Sequence, residues 1–100
     1  MAGSAPQFLL HHDGDSVAVA VMDLLPGSVN GAALKGGTKY TFDLLAACPL
    51  GHKFAAVEIK NGEDIIKYGV RVGVATADIK VGEYVHVHNM RSARWQLSRA

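Results

Sequence analysis

The apolar residues of this 100-residue chain occur in short runs separated by glycines and polar turn residues. In residues 16–22, valines at 17, 19 and 21 alternate with alanines at 18 and 20, so the two faces of an extended strand would carry side chains of different size. Further strands are predicted at 7–10 and 38–42, and the Asp13-Gly14 pair predicts a polar turn between the first two strands. No segment carries helical periodicity over twelve or more residues, which favours a mostly β fold.

Three segments share a pattern of acid, aliphatic residue, two variable residues, glycine and polar residue: 23–28, 58–63 and 78–83. The pattern predicts a recurring corner between strands, in which the acid caps the turn, the aliphatic side chain enters the core and the glycine adopts a positive φ. The unequal spacing, 35 and 20 residues, is unlike a solenoid. Chance similarity between turns is the alternative. Residues 43–47 are predicted to form one or two helical turns that end before Pro49.

The composition argues against several classes of function. Hydrophobic residues make up 49% and charged residues 19% of the chain, and the net charge is +1, as in an ordinary globular domain. No basic block precedes the tail, which argues against nucleic-acid binding, and the longest apolar run, 17–22, is too short to cross a bilayer. Cys48 is the only cysteine, so no internal disulfide can form. Residues 1–6 lack the apolar stretch of a signal peptide, and a cytoplasmic location is expected.

The sequence His86-Val87-His88-Asn89 carries the clearest chemical signal. In a strand, His86 and His88 would point to the same side and Val87 would point into the core. Two neighbouring imidazoles can bind a carboxylate, shuttle protons or occupy two positions of a metal shell. The amide of Asn89 can orient a ligand. A surface pair without a function is the alternative.

Two further groups combine glycine with basic side chains. Gly51 allows a sharp turn that would place His52 and Lys53 at a corner, where two cation-capable groups favour an anionic ligand. Lys67 and Tyr68 end an apolar strand, and they could serve as a base and an oxyanion donor. The alternatives are a solvated turn for the first pair and, for the second, a Tyr68 that caps the core beside a Lys67 that extends to water.

His12 lies beside Asp13, whose carboxylate could hold the imidazole in one tautomer, although a plain polar loop explains the same residues. The histidine spacing does not match a zinc finger, no nucleotide-binding glycine motif is present, and no metal site is predicted in this chain itself. Near the C-terminus, a tryptophan flanked by basic residues predicts a protein–protein contact, with a frayed tail as the alternative. These tail residues are Arg91, Arg94, Trp95 and Arg99.

Four segments, 15–20, 49–53, 66–69 and 82–89, occur in an order that resembles the N-terminal SAF domain of altronate and galactarate dehydratases. The resemblance covers about residues 8–89 and extends to the free-standing small subunit of (2R)-sulfolactate sulfo-lyase. It implies a mostly β, SAF-type β-clip fold with short helical turns. The division it implies is a disordered leader at 1–6, an SAF domain at 7–90 and a basic tail at 91–100.

The resemblance also implies a function, namely the small subunit of a two-component lyase that catalyses β-elimination from a 2-hydroxy carboxylate. The expected partners are a large catalytic lyase subunit and a small anionic sugar-acid or sulfonate substrate, and a homo-oligomer is compatible with it. A divalent metal, iron by the same resemblance, would be held mainly by the large subunit. The residues expected to act in catalysis are His86, His88, Lys67 and Tyr68. The residues expected to bind the substrate are His12, His52, Lys53 and Asn89.

A non-catalytic SAF binding or assembly module is the alternative function. Geometry can distinguish the two, because an enzyme should bring His52, Lys67 and His88 together, whereas a scaffold should leave them scattered.

Overall fold

Strands make up all of the regular secondary structure in residues 5–67 and 69–92, the residues that the computed structural model describes. This confirms the predicted mostly β fold. No helix capable of spanning a membrane occurs among these residues. The strands are β1 (Phe8–Leu10), β2 (Val17–Ala20), β3 (Gly27–Ala33), β4 (Lys39–Leu44), β5 (Lys53–Ala55), β6 (Asp64–Lys67), β7 (Val70–Ala75), β8 (Tyr84–Val85) and β9 (Met90–Ser92).

The strands form two sheets. The larger has the order β4-β3-β1-β2-β5-β8, in which β1 and β3 are parallel and the other neighbours are antiparallel. The smaller has the order β6-β7-β9 and is antiparallel. Ser16 joins the two sheets, because its backbone N–H donates to the carbonyl of Ile66 (2.8 Å) and its hydroxyl accepts from the Ile66 N–H (3.1 Å).

The protein has two hydrophobic cores. The first lies against the larger sheet, residues of both sheets form the second, and β2 contributes to both. Ala18 and Ala20 belong to the first core with the edge-to-face pair Phe8 and Phe54, whose ring centroids are 5.2 Å apart. Val17, on the opposite face of β2, belongs to the second core. The valine–alanine alternation in the sequence therefore marks a strand buried on both faces, with the small residues on the side of the large aromatic rings.

The three predicted corners are present. Their glycines, Gly27, Gly62 and Gly82, have φ angles of 124°, 90° and 86°, in the region that residues with a Cβ rarely adopt. In the second and third corners, the glycine occupies the third position of a β-turn closed by a backbone hydrogen bond of 2.9–3.0 Å, from residue 63 to 60 and from residue 83 to 80. The aliphatic residues of all three corners are buried, as predicted: Leu24, Ile59 and Ile79.

A fourth corner, residues 47–52, confirms the turn predicted at Gly51, but the sequence pattern did not group it with the other three because Ala47 takes the place of the acid. The four corners form two pairs, each joined by a short antiparallel bridge: Leu24 with Cys48, and Ile59 with Ile79. Each pair carries one acid that caps the opposite corner rather than its own. In the first pair the Leu50 N–H donates to Asp23 Oδ1 (2.9 Å), and in the second pair the Asn61 N–H donates to Asp78 Oδ1 (2.9 Å).

The second and third corners also have a cap of their own. The carboxylates of Glu63 and Glu83 accept hydrogen bonds from the backbone N–H of Lys60 (2.6 Å) and Lys80 (2.8 Å), the first residues of the respective turns. The glutamate directly after the glycine thus satisfies an amide that the turn leaves without a backbone acceptor.

The helical turns predicted at 43–47 are absent, so this part of the fold prediction is wrong. Asp43 and Leu44 are the last residues of β4 and pair with Ser28 and Gly27 of β3. The leucines and alanines of this segment favour a helix locally, but pairing with β3 satisfies the backbone of residues 43 and 44, and this tertiary contact decides the structure. The division into leader, domain and tail stays a prediction, although β9 reaches Ser92, inside the segment assigned to the tail.

Candidate functional site

The His86–Asn89 segment forms a turn and not the predicted strand. The ladder between β5 and β8 ends at Val85, after which the Asn89 N–H bonds to the His86 carbonyl at 3.0 Å. Val87 is 76% exposed, so the prediction that it points into the core is wrong. The turn redirects the chain just where a continued strand would have placed this side chain inward.

His86 and His88 nevertheless lie together, because both pack on the ring of Tyr84. Their ring centroids are 5.5 and 5.8 Å from that of Tyr84, each with an interplanar angle of 23°. His52 joins them at 5.7 Å from Tyr84 and 5.3 Å from His86. These four residues, His52, Tyr84, His86 and His88, are called the ring cluster below.

Strand pairing brings the cluster together from distant parts of the chain. Gly51, with φ of 84°, sits in a turn closed by the hydrogen bond from the His52 N–H to the Pro49 carbonyl (2.9 Å). From this turn the chain enters β5, which pairs with β8 so that Phe54 is opposite Tyr84. His52 therefore arrives beside the tyrosine, and a hydrogen bond of 2.5 Å joins His52 Nδ1 to the Tyr84 hydroxyl.

Asn89 supports the cluster from beneath. Its side chain is 3% exposed, Nδ2 donates to the Tyr84 carbonyl (2.8 Å), and Oδ1 accepts from the His86 N–H (3.0 Å). Both ends of the amide thus bind the backbone of the segment that carries the histidines. The sequence interpretation gave Asn89 a contact with the substrate, whereas this geometry gives it a structural task in the turn.

The remaining predicted basic residues form a second group, here called the cationic group: His12 and Lys67, which both interact with Asp15, and Lys53, whose charge acts on Lys67. Asp15 is 1% exposed, and its carboxylate accepts from the backbone N–H of His12 (3.2 Å) and of Gly69 (3.1 Å). Burial, and next the positive charge of Lys53, lower the pKa of Lys67, while Asp15 acts in the opposite direction. A lysine with a lowered pKa is a better base at neutral pH than an ordinary one.

The carboxylate next to His12 is used differently from the prediction. Asp13 accepts hydrogen bonds from the hydroxyls of Thr38 (3.0 Å) and Tyr40. The hydrogen bond to Asp13 is also the main cause that raises the pKa of Tyr40. The His12 ring instead lies against Gly69, where an added Cβ would come within 2.9 Å of Nδ1. A glycine at 69 therefore makes room for this imidazole.

The ring cluster and the cationic group both have a member at β5, but their side chains lie on opposite faces of that strand. Phe54 and its partner Tyr84 pack with the first core, whereas Lys53 is paired with Val85 of the second core. His52 and Lys53 are consecutive, and their side chains point to opposite sides of the sheet. Of the three residues expected to converge, His52 and His88 do so through Tyr84, and Lys67 belongs to the other group.

Other parts of the described surface suit this chemistry less well. A shallow recess of about 570 Å³ is lined partly by Glu58, Glu63 and Asp64, whose negative charge disfavours an anionic ligand. Residues 5–67 and 69–92 contain no group of three or more His, Cys, Asp or Glu side chains that could hold a metal ion. Tyr68 and the tail residues Arg94, Trp95 and Arg99 lie outside the described residues.

Sequence reasoning missed Tyr84 and Asp15, the residues around which the two groups are built. Tyr84, His86 and His88 occur at alternate positions, and that spacing was the one available signal that the tyrosine shares a face with the histidines. For Asp15 the sequence holds no comparable signal, because one of its two backbone donors, Gly69, is 54 residues away in the sequence.

Comparison with known proteins adds the family context. Residues 6–93 match the family model of the altronate/galactarate dehydratase SAF domain. The chain is 33% identical over 90 residues to (2R)-sulfolactate sulfo-lyase subunit alpha of Chromohalobacter salexigens, an alignment that covers 88% of this chain and 96% of that subunit. It is 40% identical over 86 residues to altronate dehydratase of Escherichia coli, covering 86% of this chain and 16% of that enzyme. A second subunit alpha, from Paracoccus pantotrophus, is 42% identical over 50 residues, which is 50% of this chain and 75% of that sequence.

Proposed function

This chain belongs to the SAF-domain family of altronate and galactarate dehydratases, and from that premise we propose that it is the small, histidine-carrying subunit of a two-component lyase. The proposed reaction is β-elimination from a 2-hydroxy carboxylate. (2R)-Sulfolactate, which would give sulfite and pyruvate, is the first candidate substrate because the relative covered almost completely is named for it. Altronate and galactarate are the next candidates, since the same domain forms 16% of an altronate dehydratase.

The chemistry defines what the site must supply. A base removes the proton on C2, and the electrons of that C–H bond form the double bond to C3. The bond from C3 to the leaving group breaks, and sulfite or hydroxide departs with its electron pair. The resulting enol becomes a 2-keto acid. As the C2 proton leaves, negative charge grows on the substrate carboxylate, and donors or cations must stabilise that charge.

The ring cluster is the observation that carries the proposal. It gathers three imidazoles onto one tyrosine, from segments more than 30 residues apart in the sequence, as a site for an anionic substrate would require. His86 and His88 are exposed, so a second polypeptide can reach them. We assign them hydrogen bonds to the carboxylate or to the leaving group. His52 is assigned to substrate binding, and Asn89 to holding the turn that carries His86 and His88.

The cationic group is assigned a secondary part. Lys67 and Tyr68 would stabilise the enediolate, and Lys53 and His12 would attract the anionic substrate. The cationic group lies on the face of β5 opposite the ring cluster. It can therefore contact the same substrate only if the large subunit wraps around the edge of the larger sheet that β5 and β8 form.

The part of this chain that the structure describes holds no group of three or more His, Cys, Asp or Glu side chains that could bind a metal ion. We propose that the large subunit holds the divalent ion, iron by the family resemblance, and that the complex works in the cytoplasm. The contribution of this chain is then to bind and orient an anion.

The test is reconstitution with the large lyase chain encoded in the same genome. The complex should release sulfite or a 2-keto acid from (2R)-sulfolactate, altronate or galactarate, and the isolated small chain should be inactive on all three. His86→Ala or His88→Ala should lower kcat by about a hundredfold or more, which is typical for the loss of a donor that stabilises the charge developing in the transition state. The matched control is Val87→Ala in the same turn, with kcat expected within about twofold of wild type.

Three outcomes would count against the proposal. Elimination by the small chain alone would contradict the two-component arrangement. Full activity in both histidine variants would remove the catalytic role of the pair. Equal loss in Val87→Ala and the histidine variants, caused by weaker binding of the large chain, would favour the non-catalytic assembly module instead.

A further inference from the structure

In the described part of the chain, the Tyr84 side chain touches every histidine of the ring cluster. Its ring packs against the rings of His52, His86 and His88, and its hydroxyl is bonded to His52 Nδ1 at 2.5 Å. Its backbone carbonyl accepts the hydrogen bond from Asn89 Nδ2, which stabilises the turn that carries the other two histidines. Side chain and main chain of this residue therefore both determine where imidazoles lie.

The phenol is held in a fixed place. Tyr84 packs against the first core and is opposite Phe54 in the β5–β8 ladder, and Phe54 is fully buried. A ring fixed on one side by a close-packed core keeps its hydroxyl in one position without a further loss of conformational entropy when a ligand binds. His52 thus meets a pre-organised partner.

The direction of the hydrogen bond follows from the acidity of the two groups. A phenol has a pKa of about 10 in water, while the N–H of a neutral imidazole is a far weaker acid. Conversely, the unprotonated ring nitrogen of imidazole is a much better acceptor than a phenol oxygen. The favoured arrangement is O–H donating to Nδ1, which leaves the imidazole proton on Nε2.

We infer that Tyr84 is a positioning residue that holds neutral His52 in the tautomer protonated on Nε2, so that His52 presents a fixed N–H donor to a carboxylate or sulfonate oxygen. The inference deepens the proposed function and rests on it for its catalytic consequence only. In this role His52 donates a hydrogen bond and keeps its proton, since a neutral imidazole that gave up Nε2–H would become an unfavourable anion. The general acid and base must then be other groups.

The tautomer can be measured on the isolated chain by long-range ¹H–¹⁵N correlation of ¹⁵N-labelled protein, at a pH above the titration of its histidines. We expect His52 to carry its proton on Nε2 and to show an Nδ1 signal shifted by hydrogen bonding. In Tyr84→Phe, which keeps the ring and removes the hydroxyl, Nδ1 should move toward the value of an unbonded ring nitrogen, and the second tautomer should become populated. Tyr40→Phe is the matched control, because it removes a hydroxyl bonded to Asp13, and it should leave the His52 signals in place.

A proton on Nδ1 of neutral His52 in the wild type, or unchanged His52 signals in Tyr84→Phe, would overturn the inference. The activity arm uses the reconstituted complex, in which Tyr84→Phe should lower kcat/KM by about tenfold, mainly through kcat, because the donor matters most when charge has built up on the carboxylate. Unchanged kcat/KM in a variant with an altered tautomer would refute the catalytic consequence. Should the wild-type complex turn over none of the three substrates, the proposed function fails while the spectra still decide the tautomer.

Discussion

Replacing Asn89 by alanine should destabilise the fold more than replacing any exposed asparagine, because the amide of Asn89 is buried and doubly bonded. The change removes the hydrogen bond to the Tyr84 carbonyl (2.8 Å) and the one from the His86 N–H (3.0 Å). Each neutral hydrogen bond contributes about 1 kcal/mol net, and leaving buried partners unsatisfied adds to the loss. We therefore expect a loss of about 2–3 kcal/mol in the free energy of unfolding, which in a chain of this size lowers Tm by roughly 10–20 °C.

The assay is urea unfolding of the isolated chain, followed by far-ultraviolet circular dichroism. Asn30→Ala is the matched control, since it makes the same chemical deletion at an exposed asparagine whose Oδ1 accepts from the Thr41 hydroxyl at 2.8 Å. Its expected cost is within about 0.5 kcal/mol. Losses that agree within about 0.5 kcal/mol would refute the structural role assigned to Asn89. Normal stability together with lost turnover in the complex would instead favour the substrate contact that the sequence suggested.

Two further substitutions test the corners. Gly82→Ala would place a Cβ 2.1 Å from the Asp43 carbonyl oxygen, whereas the Cβ of Gly62→Ala, at the equivalent position with a similar φ, meets nothing within 4 Å. We expect the free energy of unfolding to fall by about 1–2 kcal/mol in Gly62→Ala and by at least about 2 kcal/mol more in Gly82→Ala. Equal urea midpoints for the two variants would contradict the clash. Burial raises the pKa of the Cys48 thiol from 9.0 to about 11, so the unfolded state loses its proton first and stability should fall as pH rises from about 9 to about 11. The wild type should lose about 2 kcal/mol more than Cys48→Ala across that range, and parallel pH curves would show that the thiol is not the cause.

Much of the β architecture could be predicted from local signals. The alternation at 17–20 marked a strand buried on both faces, and the glycines at 27, 62 and 82 marked corners, because a positive φ is a local requirement. The predictions that were wrong concern segments whose structure depends on tertiary contacts. The segment at 43–47 favours a helix on its own, and only its pairing with β3 makes residues 43 and 44 extended.

Prediction of the candidate site from the sequence was limited in the same way. The sequence identified His52, His86 and His88 as candidates, but not that they meet on Tyr84, because this contact depends on the register between β5 and β8. It also predicted a single cluster that includes Lys67. That lysine is near Lys53, on the face of the sheet opposite the ring cluster, and a face is assigned only once the strands are paired.

The fourth corner explains why a histidine could be placed at position 52. In the second and third corners, the residue after the glycine is a glutamate whose carboxylate is committed to the amide of the first turn residue. In the fourth corner that first residue is Pro49, which has no amide hydrogen to satisfy. Position 52 therefore need not provide the capping that Glu63 and Glu83 provide, and a histidine there leaves no amide at the first turn position unsatisfied.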